Sequence, residues 1–250
     1  MTPPASTSPW QDPATLRQFL RNVRGAVPLT IDQVESILQL LAAARERVES
    51  VLILGCQEGV LAAAILDEHP HAQALLVDES EALLDTARHH LEAHLGRVHF
   101  LRADFLQPGW MTGIFAHAPF DAVITGFATL EAEDAQKHAL YRDALSLLQP
   151  EGLFLNLEYV ASATRWTQSA LDDCTINAIF GEELRASPRK PRAEVAREFY
   201  ARATGLAPLE VQCDWLREIG FENVECFLKV QELAIFGGQR PGNEAVSADF

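Results

Sequence analysis

Three features of the chain combine residue type and spacing in a way that could hold a nucleoside. "VLILGCQEG", residues 51–59, runs four apolar residues into a turn with Gly55 and Gly59 at its ends and Cys56, Gln57 and Glu58 between them. Asp78, followed by Glu79, closes "ALLVD" about 20 residues further on, the separation at which a strand-end carboxylate can accept both ribose hydroxyls of an adenosine. Asp104 follows "HFLRA", placed to meet an adenine amino group, and Phe105 beside it can pack on the ring. Any one of these is weak alone: a Gly-x-x-x-Gly turn is an ordinary strand-to-helix bend, and Asp78 could cap the helix that "SEALL" begins. Their order along the chain makes them an adenosine cradle.

Such residues meet only if the intervening chain alternates strand and helix, and it does. From Val51 the order is strand "VLIL", helix from about Glu58 to Asp67, strand "AQALLVD", helix "SEALLDTARHHLEAH", strand "VHFLRAD", strand "FDAVIT", helix "AEDAQKHALYRDALSLL", and strand "GLFLNLEYV". This pattern predicts a parallel α/β sheet with both faces covered, and right-handed crossovers put every strand's carboxyl end on one rim. Upstream, "PATLRQFLRNVRG" and "TIDQVESILQLLAAARERV" read as helices, the second with Val34, Ile37, Leu38 and Leu41 at helical spacing and Thr30 as its cap. Downstream, "PLEVQCDWLREIGF" reads as a helix closed by Gly220, and "NVECFLKVQELAIFGG" as an antiparallel strand pair.

The organisation expected is a flexible lead over 1–13, one domain over 14–240, and a flexible tail over 241–250. Within the domain, 14–50 holds the amino-terminal helices, 51–160 the nucleoside-binding core, 161–205 a helical lid without strands, and 206–240 the closing helix and hairpin. The lid contains "SPRKPR", and its cations Arg185, Arg189, Lys190, Arg192 and Arg197 are interleaved with Glu182, Glu183, Glu194 and Glu198, as on a solvated mixed-charge surface.

Composition narrows the partners. The 250 residues, 48% hydrophobic, can bury one sizeable core. A formal net charge of −15 gives long-range attraction the wrong sign for nucleic acid or an anionic membrane. Cys56, Cys174, Cys213 and Cys226 show no C-x-x-C spacing, so neither a zinc site nor a disulfide framework is expected and a reducing cytoplasm fits. The Pro-, Ser- and Thr-rich opening has neither a basic nor an apolar leader segment, and no run reaches membrane-spanning length. His90 and His94 lie one helical turn apart, but Leu91 stands where a metalloprotease helix needs Glu, so no metal is expected.

With these residues in view, the chain resembles the class I S-adenosylmethionine-dependent methyltransferases from about Trp10 to Pro241. The likeness is carried by "VLILGCQEG", "LLVDESEALLDTAR", "VHFLRADF", "FDAVIT" to "GLFLNLEYV", and "WLREIGFENVECFLKVQELAIFGG" with Trp215, Gly220, Phe221 and Lys229, which looks like a small-molecule branch. The resemblance implies a Rossmann-like, doubly wound sheet of seven strands, mostly parallel with an antiparallel last strand. It implies S-adenosylmethionine as cofactor, with Gly55, Cys56, Gln57 and Gly59 at its methionine end, Asp78 and Glu79 at the ribose, Asp104 and Phe105 at the adenine, and Thr125 near the methyl group. It implies a small-molecule acceptor under the lid and leaves room for a homodimer. Because the sulfonium is already a strong electrophile, alignment of the acceptor can supply most of the acceleration, and Glu158 or Tyr159 is the candidate to deprotonate or position it.

Three positions depart from the family: Ile53 replaces an acid, Gln57 a glycine and Glu58 a small hydroxyl residue. They keep open a second reading, a non-catalytic binding or regulatory protein on the same fold. A nicotinamide-dependent oxidoreductase ranks last, since G-x-G-x-x-G is lacking and the terminal hairpin argues against it.

Overall fold

The computed structural model describes residues 30–167, 171 and 206–243. The expected lead and first helix, most of the lid with its basic cluster, most of the tail, and the side chains of Thr30 and Ile31 lie outside the described residues. In chain order the elements are α1 (Thr30–Ala44), β1 (Ser50–Leu54), α2 (Val60–Glu68), β2 (Gln73–Asp78), α3 (Glu81–His90), β3 (Val98–Arg102), β4 (Phe120–Gly126), α4 (Asp134–Leu147), β5 (Leu148–Tyr159), α5 (Leu209–Ile219), β6 (Glu222–Val230) and β7 (Leu233–Gln239). Short 3-10 turns at Glu92–Arg97 and Trp110–Gly113 flank β3.

The strands form one seven-stranded sheet in the order β3-β2-β1-β4-β5-β7-β6. Strands β1 to β5 run parallel, and β7 lies antiparallel between β5 and β6. The short apolar runs are strands buried on both faces, and their alternation divides the core in two. Val51 and Ile53 of β1 face one cluster with Ile37 and Leu41 of α1, Ile65 of α2 and Leu84 of α3. Leu52 and Leu54 face the other, with Leu140 and Tyr141 of α4 and Leu216 of α5. Continuous hydrophobicity in a central strand is what two-sided burial requires.

The chain winds outward from β1 through β2 to β3, then returns across β1 to begin β4 and β5. The carboxyl ends of β1 and β4 therefore flank the topological switch point, where open α/β sheets bind ligands. At the opposite rim the same strands are tied down: Asp121 Oδ2 accepts from the Glu49 and Ser50 amides at 2.6 and 2.9 Å, and its Oδ1 lies 3.0 Å from Arg45 Nε. The ends of the lid segment are held together as well, since the Ala161 amide donates to Ala207 O at 3.0 Å and Ala161 bridges Pro208.

Ser80, 2% exposed, caps α3, its Oγ accepting from the Leu83 amide at 3.3 Å. Ser80→Ala is expected to cost about 1 kcal/mol, the usual worth of such a cap, and to lower Tm by about 3 °C in a thermal melt.

Candidate cofactor and acceptor site

The site begins with the turn that leaves β1. Gly55 has φ +78, and a Cβ there would lie 2.6 Å from Ala128 Cβ, so the turn passes against the loop after β4 where only glycine fits. Gln57 has φ +49, a left-handed conformation in a residue with a side chain, and Gly59 at φ +78 turns the chain into α2. His90 Nδ1 donates to Glu58 O at 2.9 Å and ties α3 to this turn, whereas His94 pairs with Asp67. Among the described residues no group of His, Cys, Asp or Glu is arranged to hold a metal ion.

Asp78 stands at the end of β2 beside this turn. Its Oδ2 accepts the Cys56 amide at 3.1 Å and its Oδ1 the Ser80 amide at 2.9 Å, and the residue is 5% exposed. Burial pushes its carboxyl up and the two amides oppose that, so the carboxylate is partly neutralised by backbone dipoles. The helix cap is Ser80; Asp78 instead locks the glycine turn to the second strand end. Cys56 is buried, and burial with the neighbouring Asp78 pushes its thiol far up, so it packs as a small unreactive residue.

Glu79 and Asp104 join the same rim. Burial raises the Glu79 carboxyl, and the Asp104, Asp78 and Glu131 carboxylates raise it further against the opposing pull of Arg102. Asp104 Oδ1 caps its own loop through the Leu106 amide at 3.0 Å. The sequence-predicted acids thus converge, with Glu131 an addition that sequence reading missed because it lies in the loop after a different strand. The Phe105 ring does not lie open on the rim: it is 9% exposed and stands edge-on to Trp110 at 6.4 Å, as part of the core.

Three further candidates are engaged within the fold. Thr125 is fully buried and donates to Asn156 Oδ1, the first step of a relay in which Asn156 Nδ2 donates to Tyr141 OH at 2.9 Å and Tyr141 OH to Gln212 Oε1 at 2.6 Å. Gln212 Nε2 closes it on Ala207 O at 2.9 Å. The Thr125 side chain therefore binds β4 to β5, α4 and α5, away from the crevice. Glu158 is also fully buried; its Oε2 accepts the Thr129 amide and hydroxyl at 2.9 and 3.0 Å, and its Oε1 the Tyr159 amide at 2.9 Å. With three donors on it and no exposure, Glu158 fixes the loop after β4 and is not poised as a base. Tyr159, 8% exposed, lies 5.5 Å from the Phe127 ring, and burial plus the Glu158 and Glu232 carboxylates keep its phenol protonated. It offers a wall and a hydroxyl, not a phenolate.

Beneath Glu158 lies Lys137, fully buried, its Nζ without a hydrogen-bond partner among the described residues. Burial lowers its ammonium and the Glu158 charge opposes that. One signal could have found it: Lys137, Leu140, Tyr141 and Ala144 fall at i, i+3, i+4 and i+7, the buried stripe of α4.

Carboxylate acceptors thus gather on the β2 and β3 side of the rim, a chemistry that suits hydroxyl and amino donors. The crevice between β1 and β4 is crossed by the Gln57 side chain, whose Nε2 donates to Gly126 O at 3.0 Å.

A family model described as a methyltransferase domain matches residues 51–152. The chain matches no curated protein. Among solved structures it is similar to an O-methyltransferase family protein from Burkholderia thailandensis, at 18% identity and TM-score 0.62 over 94% of this chain and 64% of that one. It is similar to the carbon methyltransferase CurJ at 15% identity and TM-score 0.62, over 94% and 62%. It is also similar to phosphoethanolamine N-methyltransferase 2 of Haemonchus contortus, solved with S-adenosyl-L-methionine, at 17% identity and TM-score 0.58, over 90% and 46%. The chain spans about two thirds or less of these proteins. The matched segment runs from the start of the glycine turn's strand into β5, and the sheet order is complete around it, so residues 51–152 are similar to a methyltransferase domain and the chain has the seven-stranded fold of these methyltransferase structures.

Proposed function

We propose that the protein transfers the methyl group of S-adenosylmethionine to a small-molecule acceptor. The observation that carries this reading is the convergence of Asp78, Glu79 and Asp104 beside the glycine turn at the sheet's switch point. Asp78 and Glu79 would hold the ribose and Asp104 the adenine amino group, while the backbone of Gly55 to Gly59 and the carbonyl of Gly126 would surround the amino-acid end. The cofactor, when bound, supplies an electrophilic methyl group. The acidic rim favours its positive charge, and Phe127 with Tyr159 forms an aromatic wall on the acceptor side of β4 and β5. Neither Glu158 nor Tyr159 is arranged to take a proton, so their contribution is to hold the wall and the loop after β4, and rate enhancement comes from alignment.

The second reading, a protein that binds through this rim without catalysis, is favoured by the Gln57 bridge across the crevice. Titration calorimetry with S-adenosylmethionine and S-adenosylhomocysteine separates the two. Micromolar binding of both is expected, followed by transfer of labelled methyl to a component of a metabolite mixture. No heat at millimolar ligand would sink the methyltransferase reading.

A further inference from the structure

The carboxyl ends of β1 and β4 are neighbours in register, Leu54 beside Thr125, and the loops that leave them face each other across the switch point. They approach closely, since a Cβ on Gly55 would lie 3.2 Å from Gly126 O as well as meeting Ala128. Into this narrow place the sequence puts a residue with a long polar side chain at a backbone angle suited to glycine, Gln57 at φ +49. Across from it Phe127, just after Gly126, is a second non-glycine residue at positive φ, +52. Left-handed backbone in such residues persists where surrounding contacts hold it, and it clusters at ligand sites. Here the contact is visible: the Gln57 carboxamide spans the crevice and donates to Gly126 O at 3.0 Å.

That carbonyl is an acceptor on the far side of the crevice, and the amide has taken it. A ligand group that is itself a donor, such as the ammonium of an amino acid, can use Gly126 O only by displacing Gln57. The adenosine portion of a ligand meets no such competitor, because its partners Asp78, Glu79 and Asp104 lie on the β2 and β3 side of the turn.

We propose that Gln57 determines specificity in the crevice, its carboxamide holding Gly126 O so that ligands bearing an amino-acid end bind only by displacing it, while 5′-substituted adenosines lacking that end enter freely. The proposal rests on the cofactor reading above. The test is calorimetric titration of wild type, Gln57→Gly and Gln57→Ala with S-adenosylhomocysteine and, separately, with 5′-methylthioadenosine, which lacks the amino-acid end. Alanine removes the carboxamide but keeps a Cβ, so agreement of the two variants assigns the effect to the side-chain amide and not to relief of the backbone angle. Both variants are expected to bind S-adenosylhomocysteine about fivefold more tightly, as loss of one neutral hydrogen bond would give, with methylthioadenosine affinity changed by less than about twofold. Unchanged or weaker S-adenosylhomocysteine binding in the variants, with methylthioadenosine still bound, overturns the role of Gln57 and leaves the cofactor reading intact. Failure of both ligands to bind any of the three proteins overturns both together.

Discussion

Asp78→Ala is expected to weaken S-adenosylhomocysteine binding by at least tenfold and to lower Tm by about 6 °C. The affinity loss follows from the proposed role of this carboxylate, a charge-assisted pair of contacts to the ribose hydroxyls. The stability loss has a separate origin: the Cys56 and Ser80 amides lose their acceptor, at a cost of about 2 kcal/mol for the two. It is not larger because the carboxylate is itself unfavourably buried. The folded carboxyl is pushed above its usual 3.8, so the stability linked to this group is fully present below that value and is lost as pH rises through the folded one. At neutral pH alanine therefore removes a buried charge along with its bonds. Asp78→Asn separates the two roles, since one carbonyl oxygen can still accept an amide while the charge is gone. Its Tm should fall by less than that of Asp78→Ala, and its affinity should still drop severalfold. A full-strength complex in Asp78→Ala, with only Tm reduced, would assign Asp78 to the fold alone.

How far the chain could be read without coordinates depended on whether a feature was local. The run Val51 to Leu54 announces a strand buried on both faces, and the structure sends alternate residues to the two clusters as that requires. Gly220 ends α5 at φ +109, as a helix-closing glycine should. The start of β5 was less legible. The strand is expected from Gly152, yet it begins at Leu148, because its pairing with β4 shifts register between Phe120 and Ala122 and Glu151 takes φ +64. A bulge of this kind depends on the partner strand and leaves no periodic trace. The same limit explains the site. Position along the rim was readable for Asp78, Asp104 and Glu158, since strand ends are local. What each carboxylate touches was not: the Thr129 loop folds onto Glu158 from the end of another strand, and Lys137 reaches it from a helix whose sequence looks merely mixed in charge. Gln57 shows the converse, a departure visible in sequence whose consequence required the position of Gly126.

Glu158→Ala is expected to be the most damaging single change to the fold, costing about 3–5 kcal/mol, the range for stripping one partner from a buried charged cluster. Tm should fall by about 10 °C in a thermal melt. The Thr129 amide and hydroxyl and the Tyr159 amide lose their acceptor, the cavity is polar, and the Lys137 ammonium is left buried without the larger of the two charges, Glu158 and Asp134, that oppose its desolvation. The last effect gives the deficit a pH signature. Lys137 has a folded value lowered from 10.5 by burial, so its stability contribution is present above 10.5 and lost as pH falls through the folded value. Without Glu158 that lowering deepens, and the gap between variant and wild type should narrow as pH is raised through the wild-type folded value toward 10.5. Glu158→Gln, which keeps the shape and one carbonyl acceptor, should lose roughly half as much and show the same narrowing. If instead Glu158→Ala melts within 2 °C of wild type, the clamp on the loop after β4 contributes nothing to the stability of the fold.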